Sequence, residues 1–178
     1  MAKGSDWNPS LWMDTFKELV DEELEYDDKW TFQFNYSQTE EVTRDEKRRG
    51  WKVYIHCACG NFRCEACSNT WSSARTTVLY RYRLRGNRGV VSMRPFGQAC
   101  RRCQDDGFNL PGFSKEVVEK SFIRLFGKIK KKCYNEDSDG DEGPAAPFIL
   151  TKPHESSLCE ACRLGMCCQN EEESQSVQ

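Results

Sequence analysis

Three Cys-x-x-Cys pairs constrain this chain more than any other feature. They are Cys64/Cys67 in FRCEAC, Cys100/Cys103 in GQACRRC and Cys159/Cys162 in SLCEAC. Two intervening residues let both thiolates of a tight turn reach one metal ion. Each pair supplies half of a tetrahedral zinc site, so such pairs work in twos. The stretch between the first two pairs reads as a long β-hairpin, which returns one knuckle to the other. The expected fold is therefore α+β. A zinc-ribbon-like antiparallel sheet is stabilised by Zn²⁺ and flanked by an N-terminal and a C-terminal helix.

Other uses of cysteine fit less well. The chain has 11 Cys in 178 residues, an odd number. Its first residues, MAKGSDWNPSLW, lack the apolar core of an export signal. Reduced thiols are then expected, because the cytosol keeps cysteines reduced. A redox Cys-x-x-Cys is expected once, on a βαβ pattern, and not three times. Hydrophobic residues make up 38% and charged residues 30%, so the apolar core is modest and metal must help to hold it. No window reaches the roughly 18 apolar residues of a membrane span. The expected location is cytoplasmic, with the endoplasmic reticulum or plasma membrane reached through partners.

The order of elements is legible. Asn8-Pro9 starts a helix, and Leu11, Trp12, Phe16, Leu19, Val20 and Leu24 follow at helical spacing over 9–25. Its other face carries Asp14, Glu18, Asp21, Glu22 and Glu25. Trp30, Phe32, Phe34 and Tyr36 alternate with polar residues as a strand, and 37–50 reads as a polar loop. Trp51, Val53 and Ile55 alternate again. From Trp71 to Leu84 one strand face carries Val78, Tyr80, Tyr82 and Leu84. The other carries Leu79, Arg81, Arg83 and Arg85. Gly86-Asn87-Arg88-Gly89 turns the chain, and Val90 to Phe96 returns. Ser114 caps a last helix with a Val117, Val118, Phe122, Leu125, Phe126, Ile129 stripe. Residues 136–150 form an acidic linker. The domains are an extension over 1–8, a zinc-binding domain over 9–168 and a tail over 169–178.

The third pair needs two more ligands. His154 lies five residues before Cys159 and Cys167 five after Cys162. Together they can close a second site, with Cys133 as a competing ligand, so one or two Zn²⁺ are expected. Cys57 and Cys59 read as ordinary strand-end cysteines.

Charge is uneven. Residues 1–46 hold 13 acids and 4 bases, whereas 71–104 hold eight Arg and no acid. Arg81, Arg83 and Arg85 should project together beside aromatic rings, a surface suited to RNA or anionic lipid. Catalysis has little support. The two histidines, His56 and His154, belong to no His-x-Glu or His-Glu-x-x-His motif, and no glycine-rich phosphate loop occurs. The chain reads as non-enzymatic, without a small-molecule substrate.

A resemblance follows from the same residues. WKVY, FRCEACSNTWSSARTTVLYRYRL, VSMRPFGQACRRC, KKCYNE and PHESSLCEACRLGMC occur in this order. In this the chain resembles the three-Cys-x-x-Cys zinc-finger family of receptor-transporting proteins, over roughly residues 9–168. The resemblance implies that Cys64, Cys67, Cys100, Cys103, Cys159 and Cys162 are zinc-finger positions. It also implies an accessory role in which G-protein-coupled receptors of the odorant or taste type are helped to the cell surface. The alternative it implies is an RNA-binding, interferon-induced antiviral effector. Many members end in a hydrophobic anchor, whereas this chain runs QNEEESQSVQ after Cys168.

Overall fold

The structure is a computed structural model that describes residues 7–24, 26–103, 107–134 and 158–164. Eight elements follow in order: α1 (Pro9–Glu23), β1 (Lys29–Phe34), α2 (Arg44–Arg48), β2 (Lys52–Arg63), β3 (Thr70–Arg85), β4 (Arg88–Pro95), α3 (Lys115–Cys133) and α4 (Glu160–Arg163). The strands form one sheet in the order β1-β4-β3-β2. β2, β3 and β4 are antiparallel neighbours, as expected. β1 pairs parallel to β4, so the sheet is mixed. Alternation along β1 marks it as a strand but carries no direction, which is set by where α1 delivers the chain.

Local chemistry sets most boundaries. The Asn8 side chain accepts the Leu11 N–H with Pro9 at the first helical position, and Ser114 accepts the Val117 N–H. The hairpin between β3 and β4 turns at Gly86, whose φ of +62° lies in the left-handed region that favours glycine. Gly89 is needed for another reason. It pairs with Trp30 across the β1–β4 ladder, and a Cβ there would stand 2.1 Å from the indole. The ring lies where that side chain would be. One element escaped the sequence reading: α2 lies inside the expected loop 37–50. It buries no residue, and a Thr43–Glu46 capping box forms it.

The sheet is covered on both sides. Val78, Tyr80 and Tyr82 of β3 are fully buried with Trp12 and Phe16 of α1 and Phe122, Leu125, Phe126 and Ile129 of α3. The Tyr80 hydroxyl reaches Ser121 Oγ at 2.6 Å, which satisfies both groups in this dry layer. The opposite face carries Leu79 and Phe96, covered by Cys159 and Ala161 with Val53 and Ile55 beside them. The 35–51 segment crosses this second face. The Gln38 amide donates to the Leu79 and Ser92 carbonyls at 2.9 and 3.0 Å. A strand buried on both faces must be apolar on both. That explains why β3 is nearly continuously buried from Thr76 to Tyr80.

Candidate metal centre

The first two knuckles meet as their spacing predicts. β2 ends at Arg63 and Cys64 follows directly, while β4 ends at Pro95 and leads through Phe96–Ala99 to Cys100. β4 is shorter than β3, 8 residues against 16, and the segment 96–99 continues beside β3, where Phe96 N–H donates to Thr77 O and the Gln98 amide to Ser73 Oγ, so both Cys-x-x-Cys turns reach the same end of the ribbon. The Sγ atoms of Cys64, Cys67, Cys100 and Cys103 all lie within 4.8 Å of one another. Cys64 and Cys103 are 3.6 Å apart, and Cys67 and Cys100 are 3.7 Å apart. Four sulfurs at about 2.3 Å from one tetrahedral ion stand about 3.8 Å from each other. The spacing fits zinc and leaves no coordination position open.

The surroundings orient these sulfurs. In the first knuckle, Cys64 N–H donates to Asn69 O at 2.8 Å and Ser68 N–H to Cys64 O at 2.9 Å. Ser68 adopts φ +61°, the left-handed conformation that closes the turn. The Asn69 amide donates to Cys100 Sγ at 3.6 Å, which links one knuckle to the other. Asn109 accepts the Glu65 N–H at 3.2 Å and exchanges two backbone hydrogen bonds with Gln98. The Gln98 side chain accepts from Trp71 Nε1 at 3.0 Å and donates to Ser73 Oγ at 2.9 Å. Trp71 in turn stacks on Phe62, with centroids 5.4 Å apart. This shell fixes ligand direction, as outer partners do in metal sites.

The electrostatics call for a cation. Burial opposes ionisation of Cys100. The N–H groups of Cys103 and Arg102, the Asn69 amide and Cys67 outweigh it and hold the thiol down at about 6. The Cys103 thiol is pushed up, first by its sulfur contacts with Cys67 and Cys64. Without a dication, neighbouring sulfurs cannot all carry charge. With one, all four can.

The other predicted site residues fall in three places. Cys159 is buried and Cys162 half-buried, in the cluster with Leu79 and Phe96. Cys133 packs with the α1–α3 cluster on the opposite side of the sheet, so the structure does not bring it to Cys159. Closeness in sequence misled here, because the sheet itself separates them. His154 and Cys167 lie outside the described residues, as do the acidic linker and the tail.

Cys57 and Cys59 are not at a strand end. β2 continues to Arg63, and its register with β3 shifts between Ala58 and Gly60. Cys57 is disulfide-bonded. His56, beside it, points to the α3 side. There it is buried against the Tyr54 hydroxyl, 3.0 Å from Nδ1. Burial, with the Arg124 charge adding, holds His56 down at about 4, so it is neutral.

The expected basic strand face is partly spent. Arg81 is ion-paired with Glu46 of α2 and lies 5.6 Å from the Trp51 ring centroid, and Arg83 lies 4.7 Å from the same ring. Arg85 is exposed. The acid that pairs with Arg81 comes from α2 and not from α1. The clue legible in the sequence was Thr43-x-x-Glu46 followed by Trp51. Asn69, Gln98 and Asn109, which brace the metal centre, carried no comparable signal.

A family model described as a zinc-binding domain, of the three-Cys-x-x-Cys zinc-ribbon type, matches residues 57–165. Receptor-transporting protein 3 of Mus musculus is 32% identical over 164 residues, covering 90% of this chain and 34% of that protein. Receptor-transporting protein 4 of Homo sapiens is 32% identical over 162 residues, covering 88% and 63%. Receptor-transporting protein 2 of Mus musculus is 33% identical over 124 residues, covering 66% and 54%. The chain thus spans about a third to just under two thirds of the length of these relatives. No solved structure matches.

Proposed function

This chain belongs to the receptor-transporting protein family of three-Cys-x-x-Cys zinc ribbons, and from that membership we propose that it is a non-enzymatic adaptor. In this reading it binds G-protein-coupled receptors of the odorant or taste type and promotes their delivery to the plasma membrane. The observation that carries it is the similarity to proteins named as receptor transporters over up to 90% of this chain.

The geometry is compatible with that role. The zinc centre of the ribbon is saturated by sulfur and so suits structure better than hydrolysis. The outer face of α1 exposes Asp14, Glu18, Asp21 and Glu22, an acidic surface suited to basic cytoplasmic receptor loops. Among the described residues no helix is long and apolar enough to cross a membrane.

Co-expression with a panel of such receptors, read by surface labelling, tests the proposal. Surface receptor should rise with the chain and fall to the control level with Cys64→Ser. No rise for any receptor, with the chain expressed and folded, would remove it. Affinity capture with and without nuclease separates the RNA-binding alternative. That alternative rests on a smaller surface than the sequence suggested, because Arg81 and Arg83 already engage Glu46 and Trp51.

A further inference from the structure

We propose that the β3–β4 hairpin end of the sheet is a docking surface for an acidic membrane. It is built from Lys29 of β1, Arg83 and Arg85 of β3 and Arg88 of β4, with Lys47 and Arg48 of α2 beside them. The proposal does not depend on the receptor reading.

Strand register supplies the first argument. Lys29 pairs with Arg88 across the β1–β4 ladder, and Arg88 pairs with Arg85 across the β3–β4 ladder. Residues opposed across a sheet share a face, so three bases stand in one row on strands about 4.8 Å apart. All three are exposed. Alternation along β3 puts Arg85 on the side of Arg83, Arg81 and Leu79, away from α1 and α3. Further along, this face is closed. The Gln38 amide lies against the Leu79 and Ser92 carbonyls, and Arg81 is held by Glu46. The rows at the hairpin end keep their exposure. The chain leaves α2 beside them, since a Cβ on Gly50 would stand 4.0 Å from Arg83 Cβ. Lys47 and Arg48, in the last turn of α2, are exposed there.

Charge supplies the second argument. Like charges directly opposed across strands destabilise a sheet. Neighbouring bases are neutralised: Arg49 by Asp45, Arg81 by Glu46 and Arg94 by Glu160. Among the described residues no acid pairs with Lys29, Arg83, Arg85, Arg88, Lys47 or Arg48. Asp28, next to Lys29, is turned to the end of α3, where it accepts the Tyr134 hydroxyl at 2.7 Å. Asp27 pairs with none of these bases either. The counter-charge that this row lacks within the fold is what an anionic surface supplies.

The third argument selects a bilayer over single-stranded nucleic acid. Bases of a nucleic acid need ring faces on which to stack. The ring beside this patch, Trp51, is half-buried and is already engaged by Arg83 at 4.7 Å and Arg81 at 5.6 Å. What remains is a plane of cations, which matches a plane of lipid phosphates and carboxylates. The surface is also remote from the zinc centre. β3 is 16 residues long, about 50 Å as a strand, and the two lie at its opposite ends.

Sedimentation of the full zinc-loaded chain with phosphatidylserine–phosphatidylcholine vesicles tests this, with phosphatidylcholine vesicles as the neutral control. The parent should bind the acidic vesicles, ignore the neutral ones and release at high salt. Each base near an acidic surface contributes about fivefold to partitioning, so the triple variant Lys29→Gln, Arg85→Gln, Arg88→Gln should bind about a hundredfold more weakly. Because it removes like charges in register, its melting temperature should be unchanged or higher. Arg85→Glu, which can pair with Arg88 across the ladder, should keep the fold and weaken binding more than Arg85→Gln; it decides the matter if the triple variant folds poorly. A triple variant of equal charge on α3, Lys120→Gln, Lys131→Gln, Lys132→Gln, should bind as the parent does. Zinc content certifies each variant. A parent that ignores acidic vesicles, a hairpin triple that binds like the parent, or an α3 triple that loses as much would each overturn the proposal. A parent that retards single-stranded RNA but not vesicles, and loses this in the hairpin triple, would assign the surface to nucleic acid and overturn the membrane.

Discussion

Cys64 Sγ stands 3.6 Å from Cys103 Sγ across the mouth of the ribbon, although 39 positions separate them in sequence. Two sulfurs this close repel each other as thiolates unless a cation lies between them, so zinc and the β3–β4 hairpin stabilise each other. Removing the ion with a strong chelator, or replacing Cys64 by Ser, should unfold the ribbon end. The free energy of a structural zinc site is on the order of 10 kcal/mol, comparable to the whole stability of a domain. Thermal melts with and without chelator check this, alongside metal content. An unchanged melting temperature in metal-free protein would contradict it.

Tyr80 and Ser121 form the buried hydroxyl pair that ties β3 to α3. Tyr80→Phe strands the Ser121 hydroxyl in an apolar layer and should destabilise by about 1–3 kcal/mol. The double variant Tyr80→Phe with Ser121→Ala removes both polar groups and should cost less than the sum of the singles. Urea midpoints for the four members of the cycle give the coupling. Strict additivity would show that the contact contributes nothing.

Gly89 lies beneath the Trp30 ring, where an added Cβ meets the indole at 2.1 Å. Gly89→Ala should therefore loosen β1 from β4 and destabilise by about 1–3 kcal/mol, as overpacking does. Hydrogen exchange should rise first in β1. A neutral effect on stability would mean that the edge strand adapts at no cost.

Arg81 and Arg85 share a strand face but not a role. Arg81 is paired with Glu46 and covered by Trp51, while Arg85 is exposed. Arg81→Ala should cost about 1–2 kcal/mol through lost stacking on Trp51 and lost packing of its stem. Arg85→Ala should stay within about 0.5 kcal/mol. If either binds polyanions, Arg85→Ala should flatten the salt dependence of RNA binding without lowering the melting temperature. Equal stability losses in both variants would contradict this division.

Local pattern carried much of the chain. The Cys-x-x-Cys spacing marked both halves of the ribbon's zinc centre, although the two strand arms between them differ, with 16 residues in β3 and 8 in β4. Alternation separated Val78, Tyr80 and Tyr82 from Leu79 and Arg81, and the structure places the two sets on opposite faces. Helical stripes and caps at Asn8 and Ser114 marked α1 and α3. All of these are short-range properties of a chain whose side chains repeat every two or 3.6 residues.

What the sequence alone determined is therefore which residues can bind metal and which faces must be buried. What only the tertiary structure decided is which of them meet. The parallel docking of β1, the capture of Arg81 by Glu46, and the assignment of Cys133 and Cys159 to opposite sides of the sheet all depend on contacts between distant segments. Such contacts form only once a buried layer has fixed which side of it each segment crosses. No local periodicity encodes that choice, because it is made by the whole fold minimising exposed apolar area and unpaired charge at once.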